Sequence, residues 1–460
     1  MVKILQYGEG NFLRAFADLY FHALNCEGGD YGVYVIKPTP SKKPGLTALF
    51  EKQKNGYHVI LRGSENGSPA ESFRKVESVR QFINPFEDHG SYLALARDPA
   101  LRLVISNTTE AGICYRDSDT PDGFADSTYP AKLTSFLYER YRAGLDGLYI
   151  LPTELIDGNA DALKACVDRY IRLWGLPEDF GRWNDGNNFY CNTLVDRIVS
   201  GYPADEETRT YLEGLIGTAD GLMTVAEPFG LWAIEKKGDI AKYIKEGSHG
   251  IDVVLTGDID DYKKRKVRVL NGSHTNLVAA GLMLGAQTVC DCMTDGALSA
   301  FVQTALKNEI VPYVSADTQE TAAFAESVTE RFRNPFLNHM LAGISLNSIS
   351  KWRARVLPSF RDYYAEHGRI APCLTVGFSY LMALYSCVEK SESGYTVRIG
   401  GRTLALRDET AYLEYFAAKR PLSTFLSDAN VWGEDLTRYE GFSDAVAVNI
   451  QKIKNGACLI

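Results

Sequence analysis

Several features that would place the chain in a particular class are missing from its 460 residues. No tract rich in Ser, Gly or Pro is long enough to form a disordered linker, so we expect a continuous fold. The longest apolar stretch, 374–388, contains Thr, Ser and Gly and is shorter than the roughly 20 residues that span a bilayer, which predicts a buried helix and no membrane association. A strand-like run follows Met1 directly and leaves no room for a secretory leader, so we expect a cytoplasmic protein.

Metal-binding cysteine patterns and an excess of positive charge are missing as well. Of the nine cysteines, only Cys290 and Cys292 lie close together, and they have neither the spacing of a zinc site nor a second pair to complete four ligands. Reduced thiols and no bound metal are therefore expected. The formal net charge of −9 disfavours nucleic acid and anionic membrane surfaces as main partners, because both attract Lys and Arg.

What is present points to two domains, because the chain is too long for one ordinary core. In the first half, short apolar segments alternate with helix-like stretches, which predicts a parallel sheet. The apolar segments are 33–36, 101–105 and 148–151, and one of the helical stretches is 131–143. We predict an α/β fold: a Rossmann-like, doubly wound domain over residues 1–240, followed by a mainly α-helical domain over 241–460.

The second half is predicted to be mainly helical because it has long helical periodicity and few strand-like runs. The helical stretches are 275–284, 297–305, 321–333 and 374–388. One segment, 395–406, alternates apolar and polar residues around Gly400 and Gly401 and predicts a small β-hairpin.

A glycine turn follows the first predicted strand and precedes a helix. Gly8 and Gly10 match the first two glycines of a dinucleotide-binding turn, where they permit the tight bend and the approach of a pyrophosphate. Leu13 stands where the third glycine is usual. No acidic residue ends the second strand; Lys37, found there, either meets a 2′-phosphate or is a solvated lysine, so the sequence leaves NAD and NADP open.

The polar run 106–112 follows another apolar strand, so its side chains are expected at the carboxyl edge of the sheet, where open α/β folds bind ligands. The alternative is that Asn107 and Thr108 only cap the next helix.

A third stretch, 266–275, carries residue types suited to hydride transfer at a secondary carbinol. A buried lysine such as Lys266 can trade the hydroxyl proton, Asn271 can donate to a developing alkoxide, and His274 follows it by three residues. On one straight helix Lys266 and His274 would be roughly 12 Å apart along the axis, so convergence needs the long lysine stem or a break near Asn271. Otherwise, Lys266 belongs to a solvated basic face and His274 to the core.

Five segments, in this order, resemble the mannitol dehydrogenase family, the polyol-specific long-chain dehydrogenases. They are Gly8-x-Gly10-Asn11-Phe12-x-Arg14-Ala15; Ser106-Asn107-Thr108-Thr109-Glu110; Asn192 to Ile198; Glu227-Pro228-Phe229 with Trp232; and Lys266-x-x-x-x-Asn271-x-x-His274. Segments 151–156, 344–351 and 355–358 are similar to family members that act on hexuronates. One departure is Gly343, which stands where polyol members place an arginine eight residues before the lysine matching Lys351.

The resemblance implies an NAD(H)-dependent oxidoreductase that reversibly reduces a sugar acid, a keto-uronate, without a catalytic metal. It also implies an active site in the cleft between the two domains. It implies that Lys266 is the general acid/base, that Asn192 and Asn271 are oxyanion donors, and that His274 and Lys351 position the substrate. The implied cofactor site comprises Gly8, Gly10, Asn11, Phe12, Arg14, Asn107, Thr108 and Glu110. For the substrate carboxylate, Lys351, Arg355 and Arg268 are all candidates.

Three rival interpretations stay open at this point. The substrate is another stereoisomer or a neutral ketose, because one inverted hydroxyl can be read by a single side chain. A non-catalytic nucleotide-binding sensor would keep the fold but would not need the proton-transfer residues. A nucleotide-dependent transferase would want a Gly-x-x-x-x-Gly-Lys-Ser/Thr motif, which the sequence lacks. The oligomeric state does not follow from the sequence.

Overall fold

A computed structural model describes residues 1–40, 46–53, 56–65, 68–392 and 394–456 of the chain. Its internal contacts divide the chain into two compact units. The first consists of Met1–Arg62 and Glu71–Ile259, and the second of Gly63–Ala70 and Asp260–Ile460.

The chain before residue 260 alternates strands and helices. Its strands are β1 Val2–Tyr7, β2 Tyr31–Ile36, β3 Tyr57–Glu65, β4 Ser68–Val76, β5 Val79–Ile83, β6 Leu101–Ser106, β7 Tyr149–Pro152, β8 Phe189–Tyr190, β9 Thr193–Asp196, β10 Val199–Gly201, β11 Thr224–Ala226, β12 Leu231–Glu235, β13 Gly247–Ser248 and β14 Asp252–Thr256. Its α-helices are α1 Asn11–Arg14, α2 Ala17–Cys26, α3 Leu46–Lys52, α4 His89–Ala96, α5 Tyr129–Arg142, α6 Asn159–Leu173, α7 Glu178–Asn187 and α8 Glu206–Ile216.

Six of these strands form one parallel sheet in the order β5-β2-β1-β6-β7-β8. Renumbered along the sheet this is 3-2-1-4-5-6, the order of dinucleotide-binding folds. The register places Tyr7, Ile36 and Ser106 side by side, so the segments that follow these strands leave from one edge. The predicted Rossmann-like domain is therefore confirmed.

Both faces of this sheet are buried, as a doubly wound fold requires. Ile4 and Leu103 belong to the core on one face, whereas Leu5 and Val104, the next residue of each strand, belong to the core on the other. This explains why the strands read as continuous apolar runs, since alternate side chains find a core on either side.

Two smaller sheets, β10-β11-β3-β4 and β13-β14-β12-β9, complete this part of the chain. β14 pairs in parallel with β12 over five residue pairs, Leu231 with Asp252 through Glu235 with Thr256. The predicted division at residue 240 falls before β14, whereas the compact first unit includes that strand because of this pairing.

After residue 260 the chain is mainly helical, as predicted. The α-helices are α9 Asp260–Arg265, α10 Gly272–Met283, α11 Val289–Thr294, α12 Gly296–Ala305, α13 Thr318–Phe332, α14 Leu341–Ile344, α15 Ser348–Arg355, α16 Leu357–His367, α17 Pro372–Ser386, α18 Thr410–Ala417, α19 Leu422–Ser427, α20 Ala429–Trp432 and α21 Phe442–Lys454. Two π-helical turns lie among them, Lys266–Asn271 and Leu306–Ile310.

Helices α10 and α17 form the centre of this unit. All residues of α17 from Cys373 to Tyr385 are buried, which confirms the buried helix predicted from the longest apolar stretch. A Cβ on Gly377 would lie 2.0 Å from Oδ1 of Asn276 in α10, so the two helices approach closely only because residue 377 is glycine. Within the described ranges, none of the helices combines the length and apolar character needed to cross a bilayer.

The predicted β-hairpin is confirmed as the antiparallel pair Gly394–Ile399 (β16) and Arg402–Ala405 (β17). The sequence interpretation missed a third strand, β15 (Val388–Ser391), which pairs with β16. It follows α17 directly, and its residues after Val388 are exposed, so it carries no apolar alternation.

Candidate active site

The turn after β1 has the two properties expected at its glycines. Gly8 has a φ of +128°, and a Cβ there would lie 2.9 Å from the carbonyl oxygen of Asn107. Both facts require glycine at this position. A Cβ on Gly10, in contrast, would meet no described atom within 4 Å, so the backbone there is open to a ligand. This is the arrangement that brings a pyrophosphate against a dinucleotide-binding turn.

The side chains of α1 act mainly within the protein. Arg14 is buried; its Nη2 donates to Asn11 Oδ1 at 2.5 Å and its Nη1 to the carbonyl of Leu222. Phe12 stacks on Phe16, with ring centroids 4.9 Å apart. These predicted cofactor-site residues therefore hold the turn in shape, because their side chains are used by the protein itself.

The loop after β6 is fixed by a buried carboxylate that the sequence interpretation missed. Glu154 Oε1 accepts hydrogen bonds from Thr108 N at 2.9 Å and Thr108 Oγ1 at 2.8 Å, and Nδ2 of Asn107 donates to Thr153 Oγ1 at 3.0 Å. No helix follows until Tyr129, so Asn107 and Thr108 are not helix caps. Glu110 is exposed on this loop.

A cavity of about 380 Å³ lies beside this loop. Its lining includes Pro38, which follows β2, Thr108, which follows β6, and Lys132 from α5. Lys37 itself is 6% exposed, so the alternative of a solvated strand-end lysine is wrong. The cavity lies at the carboxyl edge of the sheet, where ligands of open α/β folds bind.

Asn192, predicted as an oxyanion donor, is fully occupied by protein groups. Its Oδ1 accepts from the N–H groups of Ala160 and Asp161 at the start of α6, at 3.0 and 3.3 Å. Its Nδ2 donates to Asp161 Oδ2 at 2.8 Å and to Glu235 Oε2 at 3.0 Å. The amide would have to exchange one of these partners before it could donate to a ligand.

The stretch that carries Lys266 is a π-helical turn, Lys266–Asn271, set between α9 and α10. Residues five apart lie about 140° apart around a straight α-helix. In a π turn the backbone bonds join residues five apart, so Lys266 and Asn271 are separated by a smaller angle around the axis than in an α-helix. His274, three residues later in α10, lies on the same side. Of the two alternatives for convergence, the long lysine stem or a break near Asn271, the structure contains a break in the form of this widened turn.

Gly272 allows a second element to close on this turn. A Cβ there would lie 2.9 Å from the backbone carbonyl oxygen of Arg355, the last residue of α15. The end of α15 therefore packs directly against the residue between Asn271 and Ser273. Lys266 and Asn271 are half-buried at this place.

His274 is 7% exposed and stacks on Phe332, with ring centroids 4.1 Å apart. No described group hydrogen-bonds to its Nε2. Burial lowers the pKa of His274 well below its usual value, and the nearby His339, Arg331, Arg355 and Lys351 lower it further. The ring is therefore a neutral imidazole whose Nε2 is buried without a described hydrogen-bond partner. The alternative of a hydrogen-bonded core histidine does not fit this nitrogen.

The three candidates for the substrate carboxylate differ in their partners. Arg268 Nη1 lies 2.5 Å from Asp362 Oδ2 and donates to the carbonyl of Tyr313. Lys351 Nζ donates to the carbonyl of Ile344 at 2.8 Å.

In the described ranges, no cluster of three or more His, Cys, Asp or Glu side chains could hold a metal ion.

Two family models match the chain: the mannitol dehydrogenase Rossmann domain over residues 2–245 and the mannitol dehydrogenase C-terminal domain over residues 258–454. The chain belongs to the mannitol dehydrogenase family. It is accordingly an oxidoreductase, which confirms the predicted enzyme class, and the resemblance inferred from the motifs is confirmed with it.

Curated relatives within the mannitol dehydrogenase family include proteins named altronate oxidoreductase. Those of Yersinia enterocolitica and of Escherichia coli O1:K1 are each 37% identical to this chain, over 98% of its length and 94% of theirs. Solved structures of similar fold include a D-sorbitol dehydrogenase in substrate-free form, with a TM-score of 0.80, 22% identity and coverage of 98% of this chain and 93% of that one. A Pseudomonas fluorescens mannitol 2-dehydrogenase in ternary complex with NAD and D-mannitol gives a TM-score of 0.69 at 19% identity, covering 99% and 92%.

Sequence reasoning missed three residues that shape the site in this member of the mannitol dehydrogenase family. Glu154 holds the loop after β6, and Phe332 and His339 pack on the ring of His274. Glu154 lies two residues after the end of β7, near the carboxyl edge of the sheet as Asn107 does, and could have been found by that signal. Phe332 and His339 come from a helix and a loop far along the chain, and no local pattern indicates their contact.

Proposed function

We propose that this protein is an NAD(H)-dependent keto-uronate reductase and that its reaction is the reversible reduction of D-tagaturonate to D-altronate. Membership of the mannitol dehydrogenase family and the 37% identity to altronate oxidoreductases over nearly the whole chain support this assignment. The observation that supports the chemistry is the π-helical turn Lys266–Asn271, which is followed directly by the helix that carries the buried, neutral ring of His274. Its location in the cytoplasm stays a prediction.

The nucleotide side of the proposal rests on the first unit. Gly10 is open where a pyrophosphate would lie, and the loop fixed by Glu154 and the cavity beside it lie at the carboxyl edge of the sheet. These residues fit a dinucleotide. When bound, NADH supplies a hydride, one hydrogen with two electrons, for the substrate carbonyl carbon and becomes NAD⁺.

The proton side of the proposal rests on the second unit. As the carbonyl carbon gains the hydride, Lys266 Nζ gives a proton to the carbonyl oxygen, so that the C=O group becomes a CH–OH group, and the lysine regains a proton from water. Asn271 donates a hydrogen bond to the oxygen while its negative charge develops. His274 Nε2 exchanges a hydrogen bond with a sugar hydroxyl and so orients the ring. In oxidation each step runs in reverse.

Asn192 enters this proposal only as a second donor to the oxyanion. Both of its amide hydrogens are held by carboxylates, which makes Asn271 the better-supported donor. Lys351, with its Nζ tied to the carbonyl of Ile344, retains two N–H donors for substrate oxygens.

The test is to follow NADH absorbance with purified protein and D-tagaturonate, D-fructuronate or D-fructose, each also with NADPH and with a chelator. We expect selective, chelator-resistant oxidation of NADH by tagaturonate. Activity only on fructuronate or fructose would keep the dehydrogenase mechanism and replace the substrate. No oxidation with any of the three would favour a nucleotide-binding sensor.

A further inference from the structure

The reaction proposed above leaves one recognition problem, the carboxylate that distinguishes a uronate from a neutral ketose. An anion that enters a partly desolvated site must be matched by a cation there, because its hydration is lost. Arg268, Lys351 and Arg355 all lie in the second unit near the Lys266 turn, and their contacts decide between them.

Arg268 is already neutralised. Its Nη1 lies 2.5 Å from Asp362 Oδ2 and also donates to the Tyr313 carbonyl at 2.9 Å. A substrate carboxylate would have to compete with Asp362 for this guanidinium. Arg268 is therefore a structural ion-pair residue.

Lys351 is partly engaged. Its Nζ donates to the Ile344 carbonyl at 2.8 Å, and Asp408 contributes a favourable charge nearby. An ammonium is a point charge that cannot grip both oxygens of a carboxylate in a planar fork. Lys351 suits a hydroxyl or a single oxygen better than a whole carboxylate.

Arg355 differs from both. It is half-buried, and among the described residues no hydrogen bond or ion pair involves its guanidinium. Its backbone carbonyl packs against Gly272, next to Asn271. Its positive charge is one of those that lower the pKa of His274. A guanidinium that is partly removed from water without an acceptor is costly unless a ligand supplies one.

We propose that Arg355 binds the substrate carboxylate through two parallel N–H···O hydrogen bonds and thereby selects sugar acids over neutral ketoses and polyols. The assignment rests on the proposed function of this site. It gives the proposed reaction a specificity residue at the end of α15, whose own backbone carbonyl packs against Gly272.

The test compares Arg355→Gln with Arg353→Gln, a control two residues earlier on the same helix. Arg353 is exposed and donates only to the backbone carbonyls of Asn430 and Val431. Binding of D-altronate and of its neutral counterpart D-altritol is measured by calorimetry in the presence of NADH, alongside the KM and kcat for tagaturonate. Thermal unfolding verifies that each variant is folded, and Arg355→Lys serves as the conservative replacement.

We expect Arg355→Gln to weaken altronate binding and raise the KM for tagaturonate about 10- to 100-fold, the loss of a charge-assisted pair, while altritol binding is unchanged. Arg355→Lys should recover part of the loss, and Arg353→Gln should match the wild type. Equal weakening of altronate and altritol, or wild-type discrimination in Arg355→Gln, would overturn the proposal. So would a wild-type protein that does not distinguish the two ligands.

The two proposals fail differently. If the wild type binds altronate through Arg355 but reduces none of the ketoses, the carboxylate site stands and the proposed reaction falls. If it reduces fructose and neither uronate, dehydrogenase chemistry stands, and both the uronate substrate and the role of Arg355 fall.

Discussion

Several polar side chains of the predicted site differ between the two units in whether they already have protein partners. In the first, the side-chain amides of Asn107 and Asn192 and both Nη groups of Arg14 donate hydrogen bonds to protein groups. In the second, His274 Nε2 has no described partner, and Arg355 has neither a hydrogen bond nor an ion pair in the described chain. The same kind of residue therefore has protein partners in one unit and lacks a described partner in the other, where we propose that it contacts the substrate.

The difference matches the ligand parts that each unit is proposed to hold. A dinucleotide-binding turn recognises its ligand largely through backbone N–H groups, so its side chains are free to stabilise the loops. A sugar acid is recognised through hydroxyl, carbonyl and carboxylate groups, which need side chains that the protein leaves unsatisfied. Unpaired polar groups in a half-buried place are thus a better indication of substrate contact than residue type alone.

The largest expected effect comes from removing the proposed acid/base. Lys266→Ala should lower kcat about 10²- to 10⁴-fold, the usual contribution of a positioned general acid, while the Kd for NADH stays near the wild-type value. The measurement is NADH oxidation at saturating substrate together with fluorescence titration of NADH.

Lys264→Ala is the matched control, because Lys264 is exposed two residues earlier and lies 3.7 Å from Asp261. Near-normal turnover in Lys266→Ala would remove the lysine from the mechanism. A loss of equal size in both variants would indicate damage to the π turn instead.

Asn271 and Asn192 test the difference between the two units, because the family resemblance implies the same role, oxyanion donor, for both. Asn271→Ala should lower kcat/KM for tagaturonate about 10²-fold with little change in stability, because no described protein group hydrogen-bonds to its side-chain amide. Asn192→Ala should lower the free energy of unfolding by about 1–3 kcal/mol, since two N–H groups of α6 lose their acceptor. Kinetics and urea unfolding of both variants give the answer. The reverse pattern would make Asn192 the oxyanion donor and Asn271 the scaffold residue.

Some features of the fold and of the candidate site were predictable from the sequence, and others were not. Apolar runs and the glycine turn predicted the parallel sheet, because strand burial and tight turns act over a few residues. The motif Lys-x-x-x-x-Asn-x-x-His predicted one site for Lys266, Asn271 and His274, and this stays a prediction. It could not show that a π turn aligns them, because this geometry depends on the packing of α15 against Gly272.

The sequence also could not show which polar side chains already have a protein partner. Nothing local distinguishes Arg268 from Arg355, yet one is paired with Asp362 and the other is not. Asp362 lies far from Arg268 in the chain, and such contacts between distant segments arise only when the helices have packed. For the same reason, β15 and the contact of Phe332 with His274 were missed.

A smaller effect is expected at the glycine turn. Gly10→Ala should raise the Kd for NADH about tenfold without loss of stability, because the added methyl enters space that the protein leaves open. Gly8→Ala should instead destabilise the protein, since its φ is +128° and the Asn107 carbonyl blocks the methyl. Calorimetric titration and thermal unfolding separate the two. Unchanged NADH affinity in Gly10→Ala would move the pyrophosphate away from this turn.

The smallest effect concerns the pH dependence of stability in the second unit. Burial holds the pKa of His274 well below its unfolded value, so the folded protein keeps the ring neutral while the unfolded chain takes up a proton as pH falls through about 6.5. The stability is therefore complete above that pH and is lost below it, by about 1 kcal/mol between pH 7.5 and 5.5.

Removing the ring should remove that part of the pH dependence. The free energy of urea unfolding should fall less between pH 7.5 and 5.5 in His274→Gln than in the wild type, by about 1 kcal/mol. His367→Gln, at an exposed position in the same unit, should keep the wild-type pH dependence. His339, whose pKa is also lowered by burial, contributes in the same direction and remains in both proteins. An identical pH dependence in wild type and His274→Gln would mean that His274 accepts its proton in the folded state, and its Nε2 would then be a donor to the substrate at acidic pH.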